Sequence, residues 1–355
     1  MSENGLLPIF DGHNDVVQEY YGSRHGSRRS FFERGTSGHL DLPRMREGGF
    51  VGGFFAVWTP DDPAGRRPNL RSLDEPETSQ PVDPALALRM AVSLTGTLFR
   101  LEKESDGAFC IARDIAELRA GLERGAITAV LHLEGAEPID PGLEALEVFY
   151  RAGLRSLGLV WSRPNLFAEG VPFAFPSSPD TGPGLTTYGK DLVRECNRLG
   201  IMLDLSHLNE KGFWDVAELS TSPLVATHSN AHAITPHSRN LTDAQLDAIR
   251  ASGGMVGLNY AVQFARPDGQ HDADTPLEDL VRHVDYLADR MGIEHVGFGS
   301  DFDGCTVPNE LGDAAGLPKL VQALRDHGFG DAELARLGTE NWLRVLETTW
   351  GAAAE

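Results

Sequence analysis

Five short apolar runs in this chain end in a histidine, an aspartate or a glutamate, the side chains that bind metal ions. The runs end at His13 to Asp15, at Glu134, at His207, at His228 and at Asp301. His13 and Asp15 are two residues apart, and residues i and i+2 of an extended strand point to the same face. In a parallel α/β barrel the carboxyl ends of the strands line one mouth, so ligands that are distant in sequence would meet there.

Eight β-like runs alternate with helix-like segments along the 355 residues. They cover 7–13, 50–58, the run ending at Glu134, 154–161, the runs ending at His207 and His228, 254–260 and 296–301. Strands that alternate with helices in this way are typical of an α/β fold with a parallel sheet. We therefore predict a single (β/α)8 TIM-like barrel domain over residues 1–355.

Helices and loops can be predicted between these runs. Apolar residues at helical spacing predict helices over 84–105, 185–198, 242–251 and 277–291, and Asp331 begins a final helical segment ahead of 341–350. Thr242 followed by Gln245 predicts a capping box. The segments 60–81 and 163–183 are rich in Pro, Gly, Ser and Asp. We expect both to be long loops on the C-terminal face of the barrel, where an active site would lie.

The overall charge of the chain excludes some partners. A net charge of −21 argues against nucleic acid and against an anionic membrane surface, since both would repel such a protein. No run of about 18 apolar residues is present, and the N-terminus shows no secretory signal. The three cysteines, Cys110, Cys196 and Cys305, are odd in number and irregular in spacing, which suits a reducing cytoplasm. Whether the chain forms a homo-oligomer stays open.

The residues at the strand ends suit two metal ions better than one. Three imidazoles and two carboxylates exceed the four places around one tetrahedral zinc, but they suit two divalent ions that share a bridging carboxylate. One ion would take His13, Asp15 and Glu134, and the other would take Glu134, His207 and His228. Such a pair lowers the pKa of a shared water and creates a bridging hydroxide that attacks carbonyl carbons. Asp301 could take the proton and return it to a leaving amine.

The same segments carry a resemblance that covers nearly the whole chain. They are Asp11-Gly12-His13-Asn14-Asp15, His39-Leu40-Asp41-Leu42-Pro43-Arg44, Leu133-Glu134-Gly135, Asp204-Leu205-Ser206-His207, His228-Ser229, Arg239-Asn240 and Gly299-Ser300-Asp301-Phe302-Asp303-Gly304. In order and spacing they resemble the membrane (renal) dipeptidase family of binuclear zinc peptidases, within the amidohydrolase-like barrels. The resemblance implies the two-metal assignment, Asp301 as proton carrier, and hydrolysis of dipeptides with tolerance of a D-residue at the C-terminal position.

The resemblance also implies substrate contacts. Arg239, eleven residues past His228, would bind the free C-terminal carboxylate of a dipeptide through its planar guanidinium. One position departs from the family: a histidine that contacts the substrate carbonyl oxygen in its best-known members is replaced by Trp161, whose indole cannot carry a positive charge. Oxyanion stabilisation would then pass to the metals or to Arg163, and Trp161 would form a wall of the pocket. Tyr260 is a further candidate for substrate specificity.

Three functions are compatible with this sequence. The leading hypothesis is a cytoplasmic, metal-dependent dipeptidase with two zinc ions, although manganese or cobalt would suit the same nitrogen and oxygen ligands. A second is an amidohydrolase that acts on N-acyl amino acids, lactams or lactones, and a requirement for a free α-amine on the substrate would separate the two. A third is a catalytically silent metal-binding barrel. Asp301 argues against silence, because a site that only binds metal needs no proton carrier there.

Overall fold

The computed structural model describes residues 5–21, 29–60 and 80–351, and in this part of the chain nine parallel strands form one sheet. They are β1 Ile9–Asn14, β2 Phe50–Trp58, β3 Phe109–Ile111, β4 Ile127–Glu134, β5 Leu154–Gly158, β6 Met202–Asp204, β7 Val225–Ala226, β8 Met255–Leu258 and β9 Val296–Phe298. Eight of them close into a barrel in the order β2-β1-β9-β8-β7-β6-β5-β4, and β4 pairs back to β2. The predicted barrel and all eight predicted strands are confirmed.

The ninth strand, β3, was not predicted. It pairs with the first three residues of β4, from Ile127 to Ala129, whereas β5 pairs with β4 only from Leu131 onward. β3 therefore extends the edge of the barrel at the point where β5 has not yet begun. Three residues are too few to show an alternating or continuous apolar pattern, so the sequence carried no signal for it.

Helices separate the strands and cover the outside of the barrel. Within the described residues they are α1 Val16–Tyr21, α2 Leu42–Gly48, α3 Pro84–Glu104, α4 Ile115–Glu123, α5 Glu144–Ala152, α6 Thr187–Leu199, α7 Glu210–Leu219, α8 Asp243–Ala251, α9 Val262–Ala265, α10 Leu277–Met291, α11 Leu317–His327, α12 Asp331–Ala335 and α13 Asn341–Gly351. The four long helices predicted between 84 and 291 are confirmed to within two residues at each end. At α8 the Gln245 side chain accepts a hydrogen bond from the Thr242 backbone N–H at 2.9 Å, as the capping box predicts.

An apolar cluster fills the floor of the barrel. Phe10, Phe54, Val130 and Met202 point inward from their strands and pack with Trp342 of α13. The Trp342 indole donates a hydrogen bond to the Phe298 carbonyl at 3.0 Å and lies so close to Gly297 that a Cβ there would approach its nitrogen to 2.7 Å. Phe10, Val130 and Met202 precede the predicted ligands in the chain, so these ligands lie above an apolar floor.

The loops on the opposite face are only partly described. Residues 61–79 of the predicted loop 60–81 lie outside the described residues, whereas 163–183 follows an irregular course with isolated bridges from Pro164 to Glu169 and from Gly170 to Leu208. Among the described helices, none combines the length and apolar character needed to cross a membrane.

Candidate metal centre

The predicted ligands lie together at the carboxyl ends of the strands. His13 belongs to β1 and Glu134 is the last residue of β4, whereas His207 and His228 lie in the turns after β6 and β7. Asp15 directly follows β1. All five are buried, although their side chains are polar. Burial of so many polar groups costs free energy unless they are paired or bind a metal ion, so this cluster is a candidate metal site.

The ligand atoms form two groups that share Glu134. In one group, the Nε2 atom of His13 lies 3.6 Å from Asp15 Oδ2 and 3.6 Å from Glu134 Oε2. In the other, Glu134 Oε1 lies 3.1 Å from His207 Nε2 and 3.7 Å from His228 Nε2. Within each group the ligand atoms are within 4.8 Å of one another. The two carboxylate oxygens of Glu134 therefore face different groups, which is the arrangement of a bridging ligand.

The charges and protons at the site favour a divalent cation. His207 Nε2 and His228 Nε2 are 3.0 Å apart, and burial lowers the pKa of both well below the ordinary value, so two neutral imidazoles face each other. His13 has no hydrogen-bond partner for either ring nitrogen among the described residues. Although burial opposes its charge, Glu134 and Asp15 raise the pKa of His13 well above 6.5. The carboxylates thus create a negative potential in which lone pairs converge, and the residues present fit metal ions.

Outer hydroxyl groups orient two of these imidazoles. Ser162 Oγ is 2.8 Å from His207 Nδ1, and Thr227 Oγ1 is 2.8 Å from His228 Nδ1. These contacts fix the ring planes and leave the Nε2 atoms facing Glu134. Sequence reasoning missed both hydroxyls. Thr227 could have been found because it directly precedes a ligand, but nothing in the sequence pairs Ser162 with a residue 45 positions away.

Asp301 stands beside the ligands on a turn with unusual backbone geometry. Its φ is 57°, in the left-handed region that costs a non-glycine residue free energy, and its backbone N–H donates to the His13 carbonyl at 2.9 Å. The Asn259 amide donates to its Oδ2 at 3.0 Å. Burial, and next the charge of Asp15, raise the pKa of Asp301 to about 7. A carboxyl group that titrates near neutrality is suited to exchange protons.

Arg239 is buried beside the second group of ligands. Its two terminal nitrogens donate to the Ser229 hydroxyl and to the His228 carbonyl, both at 3.1 Å, and the guanidinium lies 5.6 Å from the centre of the Phe264 ring. Burial lowers its pKa to about 10, so the group stays cationic at neutral pH. Among the described residues no carboxylate lies within salt-bridge distance of it, although its charge is desolvated. Such a cation is suited to bind an anionic part of a substrate.

Trp161 forms part of an aromatic wall next to the ligands. Its ring centre is 6.0 Å from that of His207, 5.1 Å from that of Trp58 and 5.5 Å from that of Phe173. Arg163, the alternative candidate for oxyanion contact, donates to Glu137 Oε1 at 2.8 Å and to a backbone carbonyl at 2.7 Å, and it is buried. These bonds hold Arg163 in the structure behind the wall. Trp161 itself lies among aromatic rings next to His207, which is the position of a residue in a pocket wall.

Tyr260 lies in the hydrophobic core, not on the surface of the site. It packs edge-on against Phe298 and Phe302 and is fully buried. The residue before it, Asn259, is the one that reaches Asp301. Neighbouring residues in extended backbone point to opposite sides, so the sequence located this segment at the site but the side chain that contacts it is Asn259.

The chain is matched by the family model of the membrane dipeptidases, peptidase family M19, over residues 5–355. The chain belongs to this family. Family M19 peptidases are metal-dependent dipeptidases, and the two groups of potential ligand atoms described above are the candidate metal site for that chemistry.

Two solved structures and one relative in sequence are similar to this chain. A metallopeptidase from Rhodobacter sphaeroides, crystallised with a phosphinate mimic of the dipeptide L-Ala-D-Ala, is 50% identical, with a TM-score of 0.94 over 97% of this chain and 100% of that chain. A second family M19 metallopeptidase, dipeptidase AC, is also 50% identical, with a TM-score of 0.91 over 97% of this chain and 99% of that chain. An uncharacterized protein in the pqqA 5' region of Klebsiella pneumoniae is 49% identical over 272 residues, 77% of this chain and 99% of the relative.

Proposed function

We propose that this M19 dipeptidase works with two divalent ions, zinc by ligand chemistry, one held by His13, Asp15 and Glu134 and the other by Glu134, His207 and His228. The observation that carries the proposal is the division of the Glu134 carboxylate, whose two oxygens face different sets of ligand atoms. Two ions held in this way would supply a nucleophile from water at neutral pH.

The protein's own residues would then bind the substrate and move its proton. Arg239 binds the C-terminal carboxylate of the dipeptide, because it is a buried cation on the ligand side of the barrel mouth. Asp301 holds a proton near neutral pH and passes it to the departing amine, and the Asn259 amide keeps its carboxylate turned toward the ligands. Trp161 and Phe173 exclude water from the side of the pocket next to His207.

The substrate class follows from the arrangement and from one relative. The Rhodobacter sphaeroides enzyme carries a mimic of L-Ala-D-Ala and has half its sequence in common with this chain. We therefore propose that this protein also accepts a D-residue at the C-terminal position. We further propose that residues 1–355 form one domain and that the enzyme acts in the cytoplasm, where the free thiols of Cys110, Cys196 and Cys305 would stay reduced.

Elemental analysis together with a dipeptide panel tests the proposal. Protein purified without chelator should contain close to two divalent ions per chain and should cleave L-Ala-D-Ala and L-Ala-L-Ala, but not their N-acetyl derivatives. Full activity with one ion or with none would contradict the two-metal site. Equal cleavage of the N-acetyl derivatives would instead favour the second candidate, an amidohydrolase that acts on N-acyl amino acids, lactams or lactones.

A further inference from the structure

Asp204, the last residue of β6, lies beneath the second group of ligands with both of its oxygens already engaged. Oδ1 accepts hydrogen bonds from the backbone N–H groups of Ser206 at 3.0 Å and Thr227 at 2.8 Å, and Oδ2 accepts from the Thr227 hydroxyl at 2.5 Å. Asp204 also belongs to a third set of potential ligand atoms, with His13 and His228. Because its oxygens are occupied by three donors, a role other than direct ligation fits it better.

The hydrogen bonds around Thr227 have only one consistent direction. A carboxylate can only accept, so the hydroxyl proton of Thr227 must point to Asp204 Oδ2. The Thr227 oxygen is then free to accept from His228 Nδ1, 2.8 Å away. An imidazole that carries its proton on Nδ1 has its lone pair on Nε2, which is the atom that faces Glu134 Oε1 and His207 Nε2.

We propose that Asp204 and Thr227 are positioning residues that hold His228 in the tautomer able to ligate a metal through Nε2. The proposal rests on the proposed assignment of His228 as a ligand and extends it to two residues outside the two proposed ligand sets. Outer partners of this kind are generally worth 10- to 100-fold in metal affinity, because they orient the ligand and fix its proton.

An amide in place of the carboxylate should reverse the chain of hydrogen bonds. In Asp204→Asn the amide oxygen would stay at the Oδ1 position, because two backbone N–H donors point there. The NH2 group would then take the Oδ2 position and donate to the Thr227 oxygen. The Thr227 hydroxyl proton would turn toward His228 Nδ1, which favours the tautomer with its proton on Nε2. That tautomer has no lone pair on Nε2 and so cannot ligate a metal through the atom that faces Glu134 and His207.

Titration of Zn²⁺ into the full-length, chelator-stripped protein tests this effect without an activity assay. We expect Thr227→Val, which only removes the hydroxyl, to lower the affinity for one of the two zinc ions by about 10-fold. Asp204→Asn should lower the affinity for the same ion by about 100-fold. Thr227→Ser retains the hydroxyl and should bind zinc as the wild type does. The reversal of the hydrogen bonds requires the Thr227 hydroxyl. The double variant Asp204→Asn with Thr227→Val should therefore bind zinc no more weakly than Asp204→Asn alone.

The tautomer can be observed directly. In ¹⁵N-histidine NMR spectra of the metal-free chain, His228 should carry its proton on Nδ1 in the wild type and on Nε2 in Asp204→Asn. Thr235→Val is the matched control, because Thr235 Oγ1 lies 3.3 Å from an imidazole nitrogen of His283, outside the metal centre. Wild-type zinc affinity in Thr227→Val, additive losses in the double variant, or an unchanged tautomer in Asp204→Asn would overturn the proposal. A wild type that binds one zinc with the expected spectra would instead contradict the two-metal function.

Discussion

Asp11 accepts two hydrogen bonds from Ser300, one from its backbone N–H at 2.7 Å and one from its hydroxyl at 2.8 Å, across 289 residues of sequence. Ser300 directly precedes Asp301, and its hydroxyl also accepts from the Phe302 N–H at 3.1 Å. Burial raises the pKa of Asp11 to about 6 in spite of these donors. The first aspartate of the Asp11 to Asp15 motif therefore fixes the turn that presents Asp301, the proposed proton carrier, whereas His13 and Asp15 belong to one of the two groups of potential metal ligands.

Replacement of Asp301, the proposed proton carrier, should separate catalysis from metal binding. In Asp301→Asn the carboxyl group whose pKa lies at about 7 is lost, while the neighbouring ligands keep their contacts. We expect kcat for L-Ala-D-Ala to fall by about 10²-fold or more, the scale for loss of a general acid–base group, with metal content unchanged. Steady-state kinetics and elemental analysis on the same sample measure both. Near-normal turnover would remove Asp301 from the mechanism, and loss of metal would make it a ligand.

Gly304 should tolerate no side chain because it lies against two site carboxylates. A Cβ at this position would be 2.1 Å from Asp15 Oδ2 and 2.3 Å from Asp301 Oδ1. Gly304→Ala should therefore displace both groups and reduce kcat/KM by at least 10²-fold, while a displacement of Asp15 also lowers metal content. The matched control is Gly96→Ala in α3, where the nearest atom to an added Cβ is 3.8 Å away.

The control variant Gly96→Ala carries a prediction of its own. The added methyl group makes no close contact in the helix at Gly96, whereas it meets two carboxylates at Gly304. Gly96→Ala should raise the free energy of unfolding by about 0.5–1 kcal/mol, since alanine in a helix loses less backbone freedom than glycine. Urea denaturation of both variants checks this. Wild-type activity in Gly304→Ala would show that the two carboxylates can move apart without consequence.

Much of the fold and the convergence of the candidate ligands could be predicted because they depend on local patterns. Continuous apolar runs mark buried parallel strands, and a ligand at the end of such a run is placed at the barrel mouth by topology alone. The contacts that orient these ligands could not be predicted. Ser162 with His207, and Asp11 with Ser300, depend on which side chains meet after the barrel has closed, and hydroxyl groups are too common in sequence to signal such a partnership.

Tyr260 illustrates a limit of the apolar pattern as a guide to side-chain direction. The end of β8 was correctly expected near the site, but sequence alone does not say which of two adjacent side chains points inward once the strand has ended. The structure has Asn259 on the side of Asp301 and Tyr260 in the core. An error of one residue at a strand end exchanges the two faces, and that exchange moves a proposed substrate contact into the hydrophobic interior.

A buried histidine outside the metal centre should make stability depend on pH. His283 on α10 accepts a hydrogen bond from the Ala231 N–H at 3.1 Å and contacts the Ala265 carbonyl at 3.0 Å through Nε2. Burial lowers its pKa from 6.5 to about 4. Between these values the unfolded chain binds a proton that the folded protein does not, so the contribution of His283 to the free energy of unfolding is fully present above pH 6.5 and falls as the pH drops toward 4.

Urea denaturation of the metal-free protein between pH 4.5 and 7 would measure this loss, which is about 1.4 kcal/mol per pH unit for one such group. In His283→Gln the slope of the free energy of unfolding against pH should be smaller by the equivalent of one bound proton. His271→Gln, at an exposed position, controls for the loss of an imidazole. An unchanged slope in His283→Gln would show that this histidine is charged in the folded protein.

Arg239 should distinguish a dipeptide from its C-terminal amide. The guanidinium is buried and held by Ser229 and the His228 carbonyl, so its loss would leave a substrate carboxylate unpaired in a desolvated pocket. Truncation of a buried charge pair costs about 2–5 kcal/mol, which corresponds to a fall in kcat/KM of about 30-fold to about 5,000-fold in Arg239→Met. Arg239→Lys should recover only part of the loss, because a point charge cannot form two parallel hydrogen bonds.

The decisive measurement compares L-Ala-D-Ala with its C-terminal amide in the wild type and in Arg239→Met. The wild type should prefer the free carboxylate, and the variant should lose that preference by losing activity on the dipeptide alone, because the amide carries no charge for Arg239 to bind. Metal content in both proteins should be equal, since Arg239 contacts the His228 backbone and not its imidazole. If the wild type cleaves both compounds equally well, recognition of the carboxylate by Arg239 is wrong and the broader amidohydrolase function gains support.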